Sequence, residues 1–205
     1  MRVGVLGGTF DPPHYGHLVL AEQARDQLAL ECVLWVPAAD PPLKSDVVIM
    51  PIEHRLAMLE LALAEADNPA FAISPVDVER PGPHYTVDTL TLLADRQPDA
   101  QLFFLMGADS LRDLPRWHEP ARLVRLARLV VMERPGVTYD LDRLEDVIPG
   151  LRESLIFLAA PLLDIAATDI RARVAGGRTI RYLLPVGVEA YIREHELYQD
   201  RASLG

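Results

Sequence analysis

Short apolar runs, set off by loops rich in proline and glycine, alternate along this chain with stretches of helical period. That alternation narrows the fold more than any other feature. Six runs have strand length: Arg2–Leu6, Cys32–Val36, Ala70–Ser74, Gln101–Met106, Arg128–Glu133 and Ser154–Leu158. They are apolar nearly throughout, the pattern of strands covered on both faces by crossover helices. Between them, His17–Leu28 places Leu18, Ala21 and Leu28 on one helical face. Glu53–Ala66 places Leu56, Leu59 and Leu63 on another, with Glu60 and Glu65 outside. Thr86–Asp95, Glu119–Ala127, Leu141–Val147, Asp169–Val174 and Val186–His195 read as further helices. The fold class is therefore α/β, a single doubly wound, mainly parallel sheet, although periodicity does not give the strand order. Many of the 17 prolines sit in loops such as Pro12-Pro13, Pro37 and Pro41-Pro42. Several of these loops lie on the carboxyl side of strands, where open α/β sheets bind ligands.

The 205 residues fit one domain spanning 1–205, its last few residues a tail, with core enough to need neither metal nor disulfide. No apolar run reaches the roughly 18–20 residues that span a bilayer. Met1 to Leu6 runs straight into Gly7-Gly8 and reads as a first strand rather than a signal peptide. The single cysteine, Cys32, excludes an internal disulfide and fits a reducing, cytoplasmic compartment. It reads as a buried strand residue, and Trp35 beside it as core. A net charge of −10 without any basic block argues against nucleic acid as a partner, and no membrane partner is expected. A homo-oligomer is neither required nor excluded. Of the 20 basic residues 19 are arginine, so the lone Lys44 stands out. Lysine is a compact point charge where arginine is a planar fork.

The first strand leads through Gly7-Gly8-Thr9-Phe10-Asp11-Pro12-Pro13-His14-Tyr15-Gly16-His17 into a helix. A glycine-rich strand-to-helix turn offers backbone N–H groups and the positive end of a helix dipole to an anion. It is neither the G-x-G-x-x-G loop of dinucleotide enzymes nor the Walker-type phosphate loop. In their place, His14 and His17 face the same side of a helix start, each able to donate to a phosphate oxygen. Gly16 between them carries no Cβ, so a flat base or a phosphate can approach the backbone. A zinc pair would need further N or S ligands at workable spacing. Arg171 falls in the first turn of a candidate helix with Thr168 as its N-cap; a cation there opposes the helix dipole unless an anion is bound. Asp109, just past the fourth strand at Gly107-Ala108, can accept from ribose hydroxyls or cap a helix. Trp117, in the polar stretch Pro115-Arg116-Trp117-His118-Glu119-Pro120, reads as an aromatic exposed to a ligand ring.

The run from Gly7 to Pro12 followed by His14-Tyr15-Gly16-His17 resembles the signature of the H-x-G-H nucleotidyltransferase superfamily. Within it, nearly the whole chain resembles the bacterial nicotinate-nucleotide adenylyltransferases. The matching segments include Pro41-Pro42-Leu43-Lys44, Arg55 with Met58, Tyr85-Thr86-Val87-Asp88-Thr89-Leu90, Gly107-Ala108-Asp109-Ser110-Leu111, Trp117, and Ile165 through Arg171. The first motif marks the superfamily; the Tyr85 and Gly107 segments and Trp117 point to the nicotinate branch. This chain departs from the pattern at Leu43, where histidine is usual, and at Ala166 and Ala167, where two serines are usual. Backbone N–H groups at those alanines remain available.

The resemblance implies a Rossmann-like nucleotidyltransferase fold and a reaction in NAD biosynthesis. ATP and nicotinate mononucleotide would give nicotinate adenine dinucleotide and pyrophosphate by direct in-line attack, without a covalent enzyme intermediate. The nucleophile is a phosphate oxygen whose second pKa is near ~6, so no general base is needed. Catalysis then rests on positioning and electrostatics. His14, His17, Lys44 and Arg171 are implied to be catalytic, Lys44 reaching the phosphates from the opposite loop. The ATP site would comprise Gly7, Gly8, Thr9, Phe10, His14, Gly16, His17, Gly107, Asp109, Ile165, Thr168 and Arg171. Thr9, Lys44, Tyr85, Thr86, Trp117, His118 and Arg134 would hold the mononucleotide, with Trp117 under the pyridine and N–H groups near Thr86 and His118 on its carboxylate. Mg2+ would be carried by the ATP phosphates, with no protein metal site. The rivals are phosphopantetheine adenylyltransferase and cytidylyltransferase activity, a non-catalytic nucleotide-binding module, and an RNA-binding relative of the aminoacyl-tRNA synthetases.

Overall fold

The computed structural model describes residues 1–40, 48–161 and 163–199. In chain order its elements are β1 (Arg2–Gly8), α1 (Tyr15–Gln27), β2 (Cys32–Pro37), α2 (Ile52–Ala66), β3 (Phe71–Ile73), α3 (Thr86–Arg96), β4 (Gln101–Gly107) and α4 (Ala108–Asp113). A 3-10 turn (Leu114–Arg116), α5 (Pro120–Leu126), β5 (Ala127–Met132), α6 (Leu141–Val147), α7 (Leu151–Ser154), β6 (Leu155–Leu158), α8 (Ala167–Ala175) and α9 (Val186–Glu194) follow.

The strands form one six-stranded sheet in the order β3-β2-β1-β4-β5-β6, every pair parallel. β1 lies between β2 and β4, with Val3 opposite both Cys32 and Leu102. The chain winds outward from β1 in one direction, then returns to start β4 on its other side. At that reversal the loops after β1 and β4 diverge and leave a crevice at the strands' carboxyl ends.

The uninterrupted apolar strands are explained by the two cores they separate. Val3, Val5, Phe104, Met106, Leu129 and Val131 turn to one face and pack with Val87, Leu90 and Leu93 of α3, Leu123 of α5 and Leu144 of α6. Their alternates Leu6, Val33, Trp35, Phe103, Leu105 and Val130 turn to the other, against Leu20, Ala21 and Ala24 of α1. Trp35 is fully buried, as expected, while Cys32 is only partly buried and desolvation pushes its thiol pKa up. A third cluster joins Met58 and Ala62 of α2 to Ile170 of α8 and to Val188 and Ile192 of α9. The C-terminal helices are thus carried by α2, which positions α8 over the crevice. No helix among the described residues is long and apolar enough to cross a membrane.

All six strands lie where the apolar runs place them, and the long helices shift by one or two residues. Three differences matter. α1 begins at Tyr15, so His17 is in its first turn and His14 is its N-cap. α8 begins at Ala167 with Ala166 as its N-cap; Thr168 is therefore not the cap, and Arg171 is the fifth helical residue rather than one of the first turn. The buried face of α2 is Arg55, Met58, Leu59 and Ala62, whereas Leu56 and Leu63 are only partly buried. A hydrophobic pattern cannot foresee a buried arginine. The short α4 and α7 and the 3-10 turn had no apolar period by which to be read.

Candidate active site

Two adjoining cavities open at the crevice. One, about 250 Å3, is lined by Asp77, His84, Tyr85, Thr86, Thr89, Arg116 and His118 on its outer side. The other, about 350 Å3, is lined by Phe10, Asp11, His14, Gly16, His17, Gly107, Asp109, Arg134, Ile165, Ala166, Ala167, Thr168 and Arg171. Gly7, Gly8, Thr9, Phe104, Ser110 and Trp117 line both and form the wall they share.

The residues expected around ATP all line the larger cavity. Tyr85, Thr86, Trp117 and His118 line the smaller one, and Thr9 belongs to both. Arg134 departs from its expected place. It lines the larger cavity, donating to the Ile165 carbonyl at 2.7 Å and to Asp109 Oδ1 at 3.4 Å. The cause is its position just past β5, next to the carboxyl end of β4 and away from α3. Lys44 and its loop neighbours lie outside the described residues.

The histidine pair is built by the helix start. The His14 backbone N–H donates to His17 Nδ1 at 3.2 Å, which leaves the proton of a neutral His17 on Nε2. The two rings stack with centroids 3.7 Å apart, and Phe10 meets His17 edge-on at 5.1 Å. Gly16 suits this stack, because a Cβ there would lie 3.0 Å from the His14 ring and press on it. Burial first, and then the Arg134 charge, pushes the His14 pKa down to about 3. His14 is therefore a neutral imidazole that still offers one N–H.

Beside the pair, α8 presents its first turn, Ala167 and Thr168, to the same cavity. Those N–H groups have no partner within the helix and carry the positive end of its dipole. The absent serine hydroxyls thus leave the helix N-terminus itself in place. Arg171 donates from Nη1 to the Asp11 carbonyl at 2.6 Å, and its Nη1 stands 3.9 Å from Asp11 Oδ2. Asp109 is the second residue of α4, whose N-cap is Gly107, so it does not cap that helix. Its half-exposed carboxylate faces the cavity beside Arg134. An acidic chain here gathers two guanidiniums and a helix start around one space, an arrangement suited to a polyanion.

The smaller cavity is aromatic. Trp117 meets Phe104 edge-on at 5.9 Å, which seats one side of the indole on the core and leaves it half-buried in the shared wall. Tyr85 and His118 lie against each other at 4.3 Å. Thr86 opens α3, so its N–H is one of that helix's unpaired donors. Arg116 enters no ion pair among the described residues, whereas Asp77 is neutralised by Arg80 at 2.9 Å.

Several organising residues gave no signal of their role in the local pattern, although Arg55 and Thr89 stand in segments that carry the family resemblance. Arg55, 1% exposed, donates to the carbonyls of Met50, Thr9, Ala38 and Ala39 and so joins the loops after β1 and β2. His84 Nδ1 accepts from the Asp40 N–H at 2.8 Å, and the Asp40 carbonyl accepts from the His84 N–H at 3.0 Å. Asp77 Oδ1 accepts from Thr89 Oγ1 at 2.7 Å, bracing the start of α3. Buried Asp11 takes the Tyr198 hydroxyl on Oδ1 at 2.6 Å and the Met50 N–H on Oδ2 at 3.3 Å. Each link joins distant positions, which local pattern does not reveal. Asp11 had a pointer in its place in the glycine-rich loop, and Arg55 and Thr89 in the family-like segments.

The cytidylyltransferase-like family model matches residues 5–173. A probable nicotinate-nucleotide adenylyltransferase of Thermomicrobium roseum is 56% identical over 198 residues, covering 97% of this chain and 92% of that protein. Another of the same name, from Roseiflexus sp., is 52% identical over 197 residues, covering 96% and 98%. Among solved structures, the nicotinic acid mononucleotide adenylyltransferase of Plasmodium falciparum complexed with NaAD has the same fold, with a TM-score of 0.76 at 20% identity over 96% of this chain and 97% of that one. The chain belongs to the nicotinate-nucleotide adenylyltransferase family of cytidylyltransferase-like enzymes.

Proposed function

We propose that this enzyme transfers the adenylyl group of MgATP to the phosphate of nicotinate mononucleotide, giving nicotinate adenine dinucleotide and pyrophosphate. The supporting observation is the pair of cavities sharing Gly7, Gly8, Thr9, Phe104, Ser110 and Trp117, one cationic and one aromatic. NaAD, the molecule held by the Plasmodium protein of the same fold, has two such mononucleotide halves.

An oxygen of the mononucleotide phosphate attacks the α-phosphorus of ATP. As that P–O bond forms, the bond to the departing pyrophosphate breaks, and the pyrophosphate leaves with the electron pair. The attacking oxygen is already ionised at neutral pH, since the second pKa of a phosphate monoester is near ~6. The chain's work is to bring two anions together and to stabilise the leaving charge. His17, neutral His14, Arg171 and the first N–H groups of α8 face the phosphates, with Lys44 joining from the loop after β2. Asp109 takes the ribose hydroxyls, and Arg134 a phosphate on the ATP side. In the smaller cavity Trp117 stacks on the pyridine while Thr86 and His118 receive the carboxylate. Magnesium would be carried by the ATP phosphates, which supply its oxygen ligands. ATP as substrate and the free thiol of Cys32 fit a cytoplasmic setting.

The test is pyrophosphate release from MgATP or MgCTP with a panel of acceptors: nicotinate mononucleotide, nicotinamide mononucleotide and phosphopantetheine. Release with ATP and the nicotinate acceptor is expected. Release only with phosphopantetheine or only with CTP would move the chain to a rival activity, and release with none would make it a nucleotide-binding module.

A further inference from the structure

Asp11 is a carboxylate 3% exposed, held between two arginines, yet its partner on Oδ1 is a phenol from the far end of the chain. The neighbouring charges are those of Arg171 and Arg55. Arg171 reaches the Asp11 backbone carbonyl at 2.6 Å, while the distance to the carboxylate is 3.9 Å. Arg55 commits four of its five N–H donors to backbone carbonyls. The hydrogen bonds the carboxylate accepts come from the Tyr198 hydroxyl at 2.6 Å and the Met50 N–H at 3.3 Å. Burial, and then the Asp11 charge, pushes the Tyr198 pKa up, so the phenol stays a donor.

The approach of Tyr198 is well supported. Leu197 is buried in the cluster of Met58 and Ile192, which fixes the chain just past α9. Tyr198 itself sits at φ +62, a left-handed conformation costly for an aromatic residue. Position and strain together bring the hydroxyl onto Asp11.

A buried carboxylate that loses a strong hydrogen bond takes another donor if one is near. The cation within ion-pair reach of this carboxylate is Arg171, whose Nη1 stands 3.9 Å from Oδ2, and it can close into a direct hydrogen-bonded pair. It would then be engaged by Asp11 instead of by an anion in the cavity that both residues line.

We infer that Tyr198 is a positioning residue for ATP: its hydroxyl occupies Asp11 and thereby keeps the Arg171 guanidinium available to the ATP phosphates. This rests on the reading of the larger cavity as the ATP site. It assigns a role in substrate binding to a residue 187 positions from its partner and outside both cavities.

The test is MgATP affinity by titration calorimetry, together with the separate KM values for ATP and mononucleotide. Tyr198→Phe should raise the ATP Kd and KM by about tenfold and change the mononucleotide KM by less than about twofold. In an Arg171→Ala background the same change should cost less than about twofold, because the group it positions is gone. The same small cost is expected in an Asp11→Asn background, where no carboxylate draws Arg171. A general loosening of the fold would instead weaken ATP binding equally in all three backgrounds, which overturns the inference. An unchanged ATP Kd in Tyr198→Phe overturns it too, as does a Tyr198→Phe chain that does not fold, since the hydroxyl would then serve stability. A parent that binds ATP but adenylylates no acceptor strikes only the proposed reaction, while a parent that binds no ATP strikes both.

Discussion

An imidazole 7% exposed beside a guanidinium does not hold a proton at neutral pH, and for His14 this has a measurable consequence. Its pKa is about 3 in the folded chain against an ordinary 6.5, so between those values the unfolded state binds the additional proton. Stability contributed by neutral His14 is complete above pH 6.5 and is lost as pH falls from there toward 3. The slope approaches about 1.4 kcal/mol per pH unit in that window. Urea unfolding of the parent and of His14→Asn between pH 4 and 7 should show the parent losing stability faster on acidification; parallel curves would contradict it. His17 faces the chemistry more directly. His17→Ala should lower kcat by on the order of 10²–10³ with the fold intact, as expected when a transition-state donor is removed. A folded His17→Ala protein with parental turnover would remove this residue from the mechanism. Both histidines were legible, because their spacing and the glycine-rich turn are local features. Arg171 was legible for a reason that only half survives. The dipole argument placed it in the first turn, whereas α8 starts earlier and Asp11 already offsets part of its charge.

At the scale of elements, α2 does more than cover the sheet. Its Arg55 is a buried hub for four carbonyls belonging to the loops after β1 and β2 and to the segment before α2 itself. Arg55→Leu fills the space but leaves those carbonyls without donors. A loss of about 2–4 kcal/mol is expected, at roughly 1–3 kcal/mol for each buried group left unpaired and with some relaxation toward water. Arg55→Lys should recover little, because a compact ammonium cannot span the fork of directions that a guanidinium covers. Urea midpoints check both, and the KM for mononucleotide should rise as well, since Thr9 lines both cavities. Here sequence reading reached its limit in a physically definite way. Hydrophobic period gave the strands and long helices because burial of a face is a local regularity. It read Leu56, Leu59 and Leu63 as one face of α2, of which Leu59 is fully buried, and passed over the burial of Arg55, since most of the carbonyls that make it tolerable lie on other loops. The pairing of His84 with Asp40 and of Asp11 with Tyr198 was closed to it for the same reason. One-turn elements such as α7 are too short to show any period.

At the scale of the whole molecule, the sheet reversal between β1 and β4 sets two cavities side by side, and in the proposed reaction their different linings choose which mononucleotide is adenylylated. Nicotinate and nicotinamide mononucleotides share a shape and differ in a carboxylate or an amide on the ring. The smaller cavity offers donors and positive charge: the unpaired N–H at the start of α3, the backbone beside His118, and Arg116 without an internal counter-ion among the described residues. The carboxylate among the lining residues, Asp77, is already engaged by Arg80. Every oxygen of a carboxylate accepts, so the acid satisfies these donors, whereas the amide turns its NH2 toward one of them and leaves it unpaired. Each such buried mismatch costs roughly 1–3 kcal/mol, and sites built on polar pairing discriminate more strongly than sites that sense size. One to two mismatches give a preference for the acid of at least about tenfold to a hundredfold in kcat/KM. Trp117 acts differently, because its indole presents the same face to either ring. Trp117→Ala should therefore weaken both substrates while changing their ratio much less. Steady-state kinetics of the parent and of Trp117→Ala with both mononucleotides check the two statements together. Equal kcat/KM for acid and amide in the parent would overturn the donor pocket, and a collapsed ratio in Trp117→Ala would show that the indole, rather than the donors around it, carries the choice.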